Sequence, residues 1–180
     1  VAAARTAAAR LARDPALGPR YRAALVWPCP PCAREAVARL RRQLQDSGWQ
    51  WADARWLLPL LGHPDPAVRA ETLAAFAGAA TRLATQTLRR RLRFHLPVFR
   101  RLVGDPHPWV RAEALALLGR LRDRTAHALL RRALRDPRPL VRLAAVRAIA
   151  RAITLVPGAP TTRAVCQRLD DPSPAVRWVT

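Results

Sequence analysis

The chain has 180 residues, enough to bury a substantial core, and its 32 basic residues against 12 acidic ones give a formal net charge of +20. All of the basic residues are Arg, because the sequence contains no Lys; this fits a GC-rich coding bias and does not by itself indicate selection for guanidinium chemistry. No apolar run is long enough for a transmembrane helix, and three Cys, at 29, 32 and 166, make no disulfide framework and favour a reducing, cytoplasmic compartment. Leu and Ala dominate while Ile is scarce, a mixture that favours helix, because straight-chain and small side chains lose little rotamer freedom there.

The opening VAAARTAAARLAR is rich in Arg and Ala and free of acids, as transit peptides are, but it lacks the apolar region of a secretory signal. Residues 1–50 are expected to form an N-terminal helical segment, clearest over 34–45, with RDPALGPRYRAAL (13–25) readable as a degenerate repeat. Within it, Cys29-Pro-Pro-Cys32 has redox spacing and a helix to follow, which would place the thiols at a helix N-terminus. A thioredoxin-like site also needs a preceding strand, and a zinc site needs four ligands; neither is present. The pair therefore reads as a Pro-rich turn between helices. Cys166 is expected to be a small core residue.

From residue 51 onward the chain is organised by a repeat. His63-Pro-Asp-Pro-Ala-Val-Arg69, Asp105-Pro-His-Pro-Trp-Val-Arg111, Asp136-Pro-Arg-Pro-Leu-Val-Arg142 and Asp171-Pro-Ser-Pro-Ala-Val-Arg177 align without gaps, at spacings of 42, 31 and 35 residues. After each complete motif the apolar positions follow a helical period: Val68, Thr72, Ala75 and Phe76; then Val110, Ala114, Leu117 and Leu118; then Val141, Ala145, Ala148 and Ile149. A second apolar helix precedes each motif, with Trp56, Leu57, Leu60 and Leu61, then Val98, Phe99, Leu102 and Val103, then Leu129, Leu130 and Leu134. The unit is helix, Pro turn, helix. Proline is tolerated in the first turn of a helix, where its missing N–H needs no partner, so the abundant prolines mark helix starts. The Asp beside them, and Asp65 in the copy that begins with His63, can accept orphan backbone N–H groups. The longest spacing implies an extra helix near 81–94, and the last repeat is too short for its second helix, leaving a face that a further repeat would cover.

D-P-x-P-x-V-R followed by A-x-x-A-L resembles the HEAT repeat, in the subtype called PBS-lyase HEAT-like, over residues 51–180. The resemblance implies an all-α fold: an α-solenoid, a right-handed superhelix of two-helix repeats. It further implies that the second helices line a concave face, that Val68, Val110, Val141 and Val176 face the core, and that Arg69, Arg111, Arg142 and Arg177 tie to an Asp of a neighbouring turn. Arg111 would then pair with Asp136 or Asp105.

No enzyme chemistry is expected. His63, His95, His107 and His127 are scattered and have no acid or nucleophile at a useful spacing. Asp65, Asp105, Asp136 and Asp171 belong to turns, and neither a metal nor a cofactor is called for. Between Glu71 and Asp105 there is no acid, and this stretch carries Arg89, Arg90, Arg93, Arg100 and Arg101 with Phe94 and Phe99 interleaved. It reads as a solvated helix face or as an anion-binding surface for an acidic protein partner or a phosphate backbone, with no means of reading bases. Trp109, just after a Pro turn, is a candidate anchor. The expectation is a non-catalytic scaffold that binds a protein partner on its curved surface. The alternative is sequence-independent nucleic-acid binding. DNA alkylpurine glycosylases built from similar repeats need an acid beside Trp, which only Trp109 with Glu113 imitates here; phycobilin lyase-like chemistry rests on the subtype name alone.

Overall fold

A computed structural model describes Val37 and residues 57–82, 90–152 and 160–179, all of whose regular elements are helical. Of the expected N-terminal segment (1–50), only Val37 is described, and it is helical. The CxxC pair and, within the expected helix near 81–94, residues 83–89 with Arg89 lie outside the described residues, while residues 81–82 end the helix that begins at Pro66 and residues 90–92 are helical. The chain divides into two compact units, Val1–Arg82 and Leu83–Thr180.

In the first unit, a 3₁₀ helix over Leu58–Gly62 packs on α1, Pro66–Arg82. The face of α1 read from its periodicity is the one that is buried: Val68, Thr72, Ala75 and Phe76 lie against Leu57, Leu60 and Leu61 in the same core. Thr72 is tolerated there because its hydroxyl donates to the Val68 carbonyl at 2.7 Å.

The second unit stacks helix pairs, the architecture of an α-solenoid. Its first helices are α2 (Leu96–Leu102), α4 (His127–Ala133, preceded by a 3₁₀ turn over Arg124–Ala126) and α6 (Pro160–Cys166). Its second helices are α3 (Pro108–Arg120), α5 (Pro139–Ala152) and the short α7 (Pro174–Arg177). Helix α2 packs on α3 and α4 on α5, while α3, α5 and α7 form a continuous row. The second proline of each motif is the first helical residue, so its fixed φ starts the helix where no N–H is needed. Val110, Ala114, Leu117 and Leu118 of α3 and Val141, Ala145, Ala148 and Ile149 of α5 are all buried, and Phe99, Leu102, Leu130 and Leu134 close the core from the first-helix side. Each buried Val, Leu, Ile or Phe among them contributes about 1.5–3 kcal/mol, and each Ala less. Cys166 is not in that core. Val165 takes the inward position, and Cys166, about 100° further round α6, is exposed.

Two positions, one in the last turn of α3 and one just beyond it, obey opposite rules. At Gly119 the helix approaches α5 so closely that a Cβ would sit 2.6 Å from the Ala148 Cα and 2.8 Å from its Cβ. Three residues on, Arg122 has φ 49°, the left-handed conformation in which glycine normally ends a helix. There the Arg122 N–H donates to Gly119 O at 3.1 Å and the Asp123 N–H to Leu118 O at 3.2 Å, the two bonds of a Schellman turn. Gly119→Ala should therefore destabilise the fold by about 1–3 kcal/mol despite its better helix propensity. Arg122→Gly should stabilise it by about 0.5–1 kcal/mol through relief of the left-handed strain. Urea unfolding monitored by far-UV circular dichroism checks both signs.

Candidate functional site

Among the described residues, the most elaborate polar construction is a ladder of Arg–Asp contacts along the row of second helices. The motif arginine stands at the fourth helical position, and its guanidinium reaches back over its own turn. Nη1 of Arg111 donates to the carbonyls of Asp105 (2.9 Å) and Pro106 (3.0 Å). Arg142 does the same with Asp136 and Pro137, Arg177 with Asp171 and Pro172, and Arg69 with His63 and Pro64. The remaining edge of the fork crosses to the next repeat. Arg111 Nε and Nη2 donate to Asp136 at 2.9 and 3.0 Å, and Arg142 Nε and Nη2 donate to Asp171, both at 2.7 Å. Lysine could not make this set of bonds, because its point charge lacks the planar fork. At these positions, then, the choice of Arg has a structural reason that composition alone had attributed to coding bias.

The aspartates are built into their turns before the fork arrives. Oδ1 of Asp105, Asp136 and Asp171 accepts the backbone N–H two residues on, from His107, Arg138 and Ser173, each at 2.9 Å. His63 takes the same role where the motif departs from Asp: its Nδ1 accepts the Asp65 N–H at 3.1 Å. Burial lowers the His63 pKa below its ordinary value, against the opposing pull of Asp65, so the imidazole stays neutral and able to accept. Asp65 then caps α1 by accepting the Ala67 N–H at 2.8 Å. In the other copies the residue before the helix, His107 or Ser173, makes no side-chain cap, so the motif Asp orders the turn instead of capping the helix directly.

Asp171 shows the electrostatics most clearly. Bidentate hydrogen bonding from Arg142 lowers its pKa, burial opposes this, and the Ser173 N–H and Arg168, 3.6 Å away, add to the lowering. Asp171 in turn raises the pKa of Arg142. A further pair went unrecognised in the sequence because it lies outside the motif. Arg100 of α2 donates through Nε (2.8 Å) and Nη2 (3.1 Å) to Asp123, which also accepts from the Thr125 N–H and hydroxyl. Burial pushes the Asp123 carboxyl up, but the bonds from Arg100 and Thr125 outweigh it and the net shift is downward. The available signal was D-x-T at 123–125, the same two-residue Asp turn as in the motifs.

The residues singled out as an arginine-rich surface are thus divided. Arg100 is engaged by Asp123, whereas Arg90, Arg93 and Arg101 are exposed. Arg93 lies 4.4 Å from the centre of the Phe94 ring, and Phe94 is 73% exposed. On the second helices, Trp109 (38% exposed) and Leu140 (48% exposed) occupy the same repeat position directly after the helix-starting proline. At the other end of the same helices, Arg120 and Arg151 are also equivalent. Burial and the neighbouring charge of Arg151 lower the Arg120 pKa, with Glu113 opposing, and the buried Arg120 Nε has no acceptor among the described residues. No group of three potential metal ligands occurs among the described residues, and no helix among them is long and apolar enough to cross a membrane.

Residues 96–180 match the family model for HEAT repeats. No curated protein matches the chain.

The ladder predicts a specific response to mutation and to acid. Asp171→Ala should cost about 3–5 kcal/mol, because Arg142 would be left buried without its counter-charge. Asp171→Asn, which keeps the acceptor for the Ser173 N–H, should cost less. Because the folded pKa of Asp171 and of Asp123 is depressed, the stability they contribute is complete above the unfolded value of 3.8 and is lost as the pH falls from there through the lower folded values. Denaturant titrations across that range should show a shallower acid limb for Asp171→Asn than for the parent chain; identical limbs would contradict the assignment.

Proposed function

We propose that this run of HEAT repeats is a non-catalytic scaffold that holds an acidic protein partner on its second-helix face. HEAT repeats serve generally as protein-interaction scaffolds, and the D-P-x-P-x-V-R turns support placing these in the PBS-lyase HEAT-like subtype. The observation that carries the reading is the register of that face. Trp109 and Leu140 form an exposed apolar step at the N-terminal ends of adjacent helices, and Arg120 and Arg151 lie eleven positions further on in each. At the helical rise the two ends are about 16 Å apart. A partner offering an apolar side chain at one end and carboxylates at the other would meet an anchor and two cations on rigid elements. The +20 charge favours an acidic partner and faster encounter with it. With only three cysteines and no disulfide framework in the sequence, we place the protein in the cytoplasm.

A second reading, sequence-independent nucleic-acid binding, is favoured by Phe94, an exposed ring beside Arg93, with Arg90 and Arg101 also exposed. A stacking surface among cations is how single strands are held without base reading.

Affinity capture from the source cell separates the two. The wild-type chain should retain an acidic protein in a salt-sensitive manner, and Trp109→Ala with Leu140→Ala should weaken retention by about tenfold or more while leaving the helical spectrum unchanged. If the double variant retains the same protein equally well, the second-helix face is not the binding surface. Binding of random-sequence single strands at about 50 mM salt, lost on substituting Arg90, Arg93 and Arg101 by Glu, would replace this reading by the second.

A further inference from the structure

Between the first helices of the last two repeats lies a cavity of about 790 Å³, with α4 on one wall and α6 on the other. Leu129, Leu134, Pro160 and Ala164 give it an aliphatic lining, and Arg131, Arg132, Arg135 and Arg168 also line it. Asp136 is the only carboxylate lining it among the described residues, and it is already committed to the fork of Arg111 and to the Arg138 N–H. Arg131, Arg132 and Arg135 are exposed, and no ion pair joins them to a carboxylate among the described residues. Arg168 is partly used, donating to the Leu134 carbonyl at 3.3 Å, while its buried Nε has no acceptor among the described residues.

A basic end to α4 has a structural explanation, since cations at a helix C-terminus are stabilised by the helix dipole. That stabilisation falls off within the last turn. It accounts for one or two of these charges and leaves the open aliphatic cavity beside them unexplained. Three guanidinium groups within five residues repel one another unless an anion joins them. The volume is in the range of small-ligand and short-peptide sites.

The lining decides between anionic partners. No aromatic side chain lines the cavity among the described residues, so nucleobases would find no stacking surface. Leu, Ala and Pro walls suit an aliphatic side chain, and exposed arginines suit carboxylates, which they can bind bidentately. We propose that the groove between α4 and α6 binds an acidic peptide segment of a partner protein, with an aliphatic side chain seated between Leu129 and Ala164 and carboxylates on Arg131, Arg132 and Arg135. This site is separate from the second-helix face and needs no occupant there.

The test uses the full chain and a synthetic probe, so its outcome does not depend on the partner of the second-helix face. A fluorescein-labelled Glu/Leu peptide of about twelve residues should bind at about 50 mM salt, and its Gln/Leu counterpart should bind at least about tenfold more weakly. Arg131→Gln with Arg132→Gln should weaken the Glu/Leu peptide by about tenfold or more, and Arg147→Glu, on an exposed position of α5, should not. Ala164→Trp, which fills the groove and keeps every charge, should also abolish binding. Thermal melts of each variant establish that it is folded; should the Arg pair variant unfold, the Ala164→Trp result and the Gln/Leu comparison decide. Undiminished binding by folded Ala164→Trp, equal binding of the two peptides, or displacement of the peptide by a lower concentration of oligo-dT than of unlabelled peptide would each overturn the proposal.

Discussion

A two-helix repeat cannot bury its own apolar face, so its neighbours must be held at a fixed height and rotation. In this chain the bidentate contact from the motif arginine of one second helix to the turn aspartate of the next repeat supplies that constraint. One edge of the Arg142 guanidinium closes its own turn through the carbonyls of Asp136 and Pro137, and the other edge grips Asp171. The carbonyls matter because a turn containing two prolines has few N–H groups with which to satisfy them. Asp171, fully buried, has its charge met by Arg142 and its geometry set by the Ser173 N–H. Replacing such a network by apolar side chains would not obviously weaken a protein, but removing one partner from it does, and the contact specifies a single stacking register. With that register set, Gly119 can lie against Ala148, and α3 and α5 approach closely enough to bury both of their apolar stripes.

Much of this was legible in the sequence, because the repeat states it several times. The 3.6-residue stripes after each motif named the buried faces of α1, α3 and α5 residue by residue, and the prolines marked the helix starts once their positions were compared. What was not legible depends on contacts between segments. Which of the two prolines opens the helix is a matter of backbone geometry. The role of His63 required seeing that a neutral imidazole nitrogen can take the place of a carboxylate oxygen. Arg100 looked like one more member of a basic patch, and only the fold brings it to Asp123, 23 residues away. Cys166 was misassigned because a helix of seven residues offers too little periodicity to separate its inward position from the next one along.

The candidate site was legible only in part. Trp109 stood out as a large ring just beyond a Pro turn, but its equivalence with Leu140, and that of Arg120 with Arg151, becomes meaningful only when α3 and α5 lie side by side. The groove between α4 and α6 has no sequence signature, since it is a gap between two helices and its arginines are unremarkable in a chain that carries no Lys. Among the described residues, Asp65, Asp105, Asp123, Asp136 and Asp171 are engaged by turns and ladder contacts, while several arginines and isolated apolar side chains stand exposed. The ladder that engages these acids also ties one repeat to the next.

The ladder is therefore the claim on which the account rests, and a double-mutant cycle on Arg111 and Asp136 tests it most directly. Unfolding free energies would be measured for the parent, Arg111→Ala, Asp136→Ala and the double variant. A coupling energy of about 1.5–3 kcal/mol is expected, because each single variant strands the other group. Additivity within about 0.5 kcal/mol would show that the two side chains act independently, and would contradict the account.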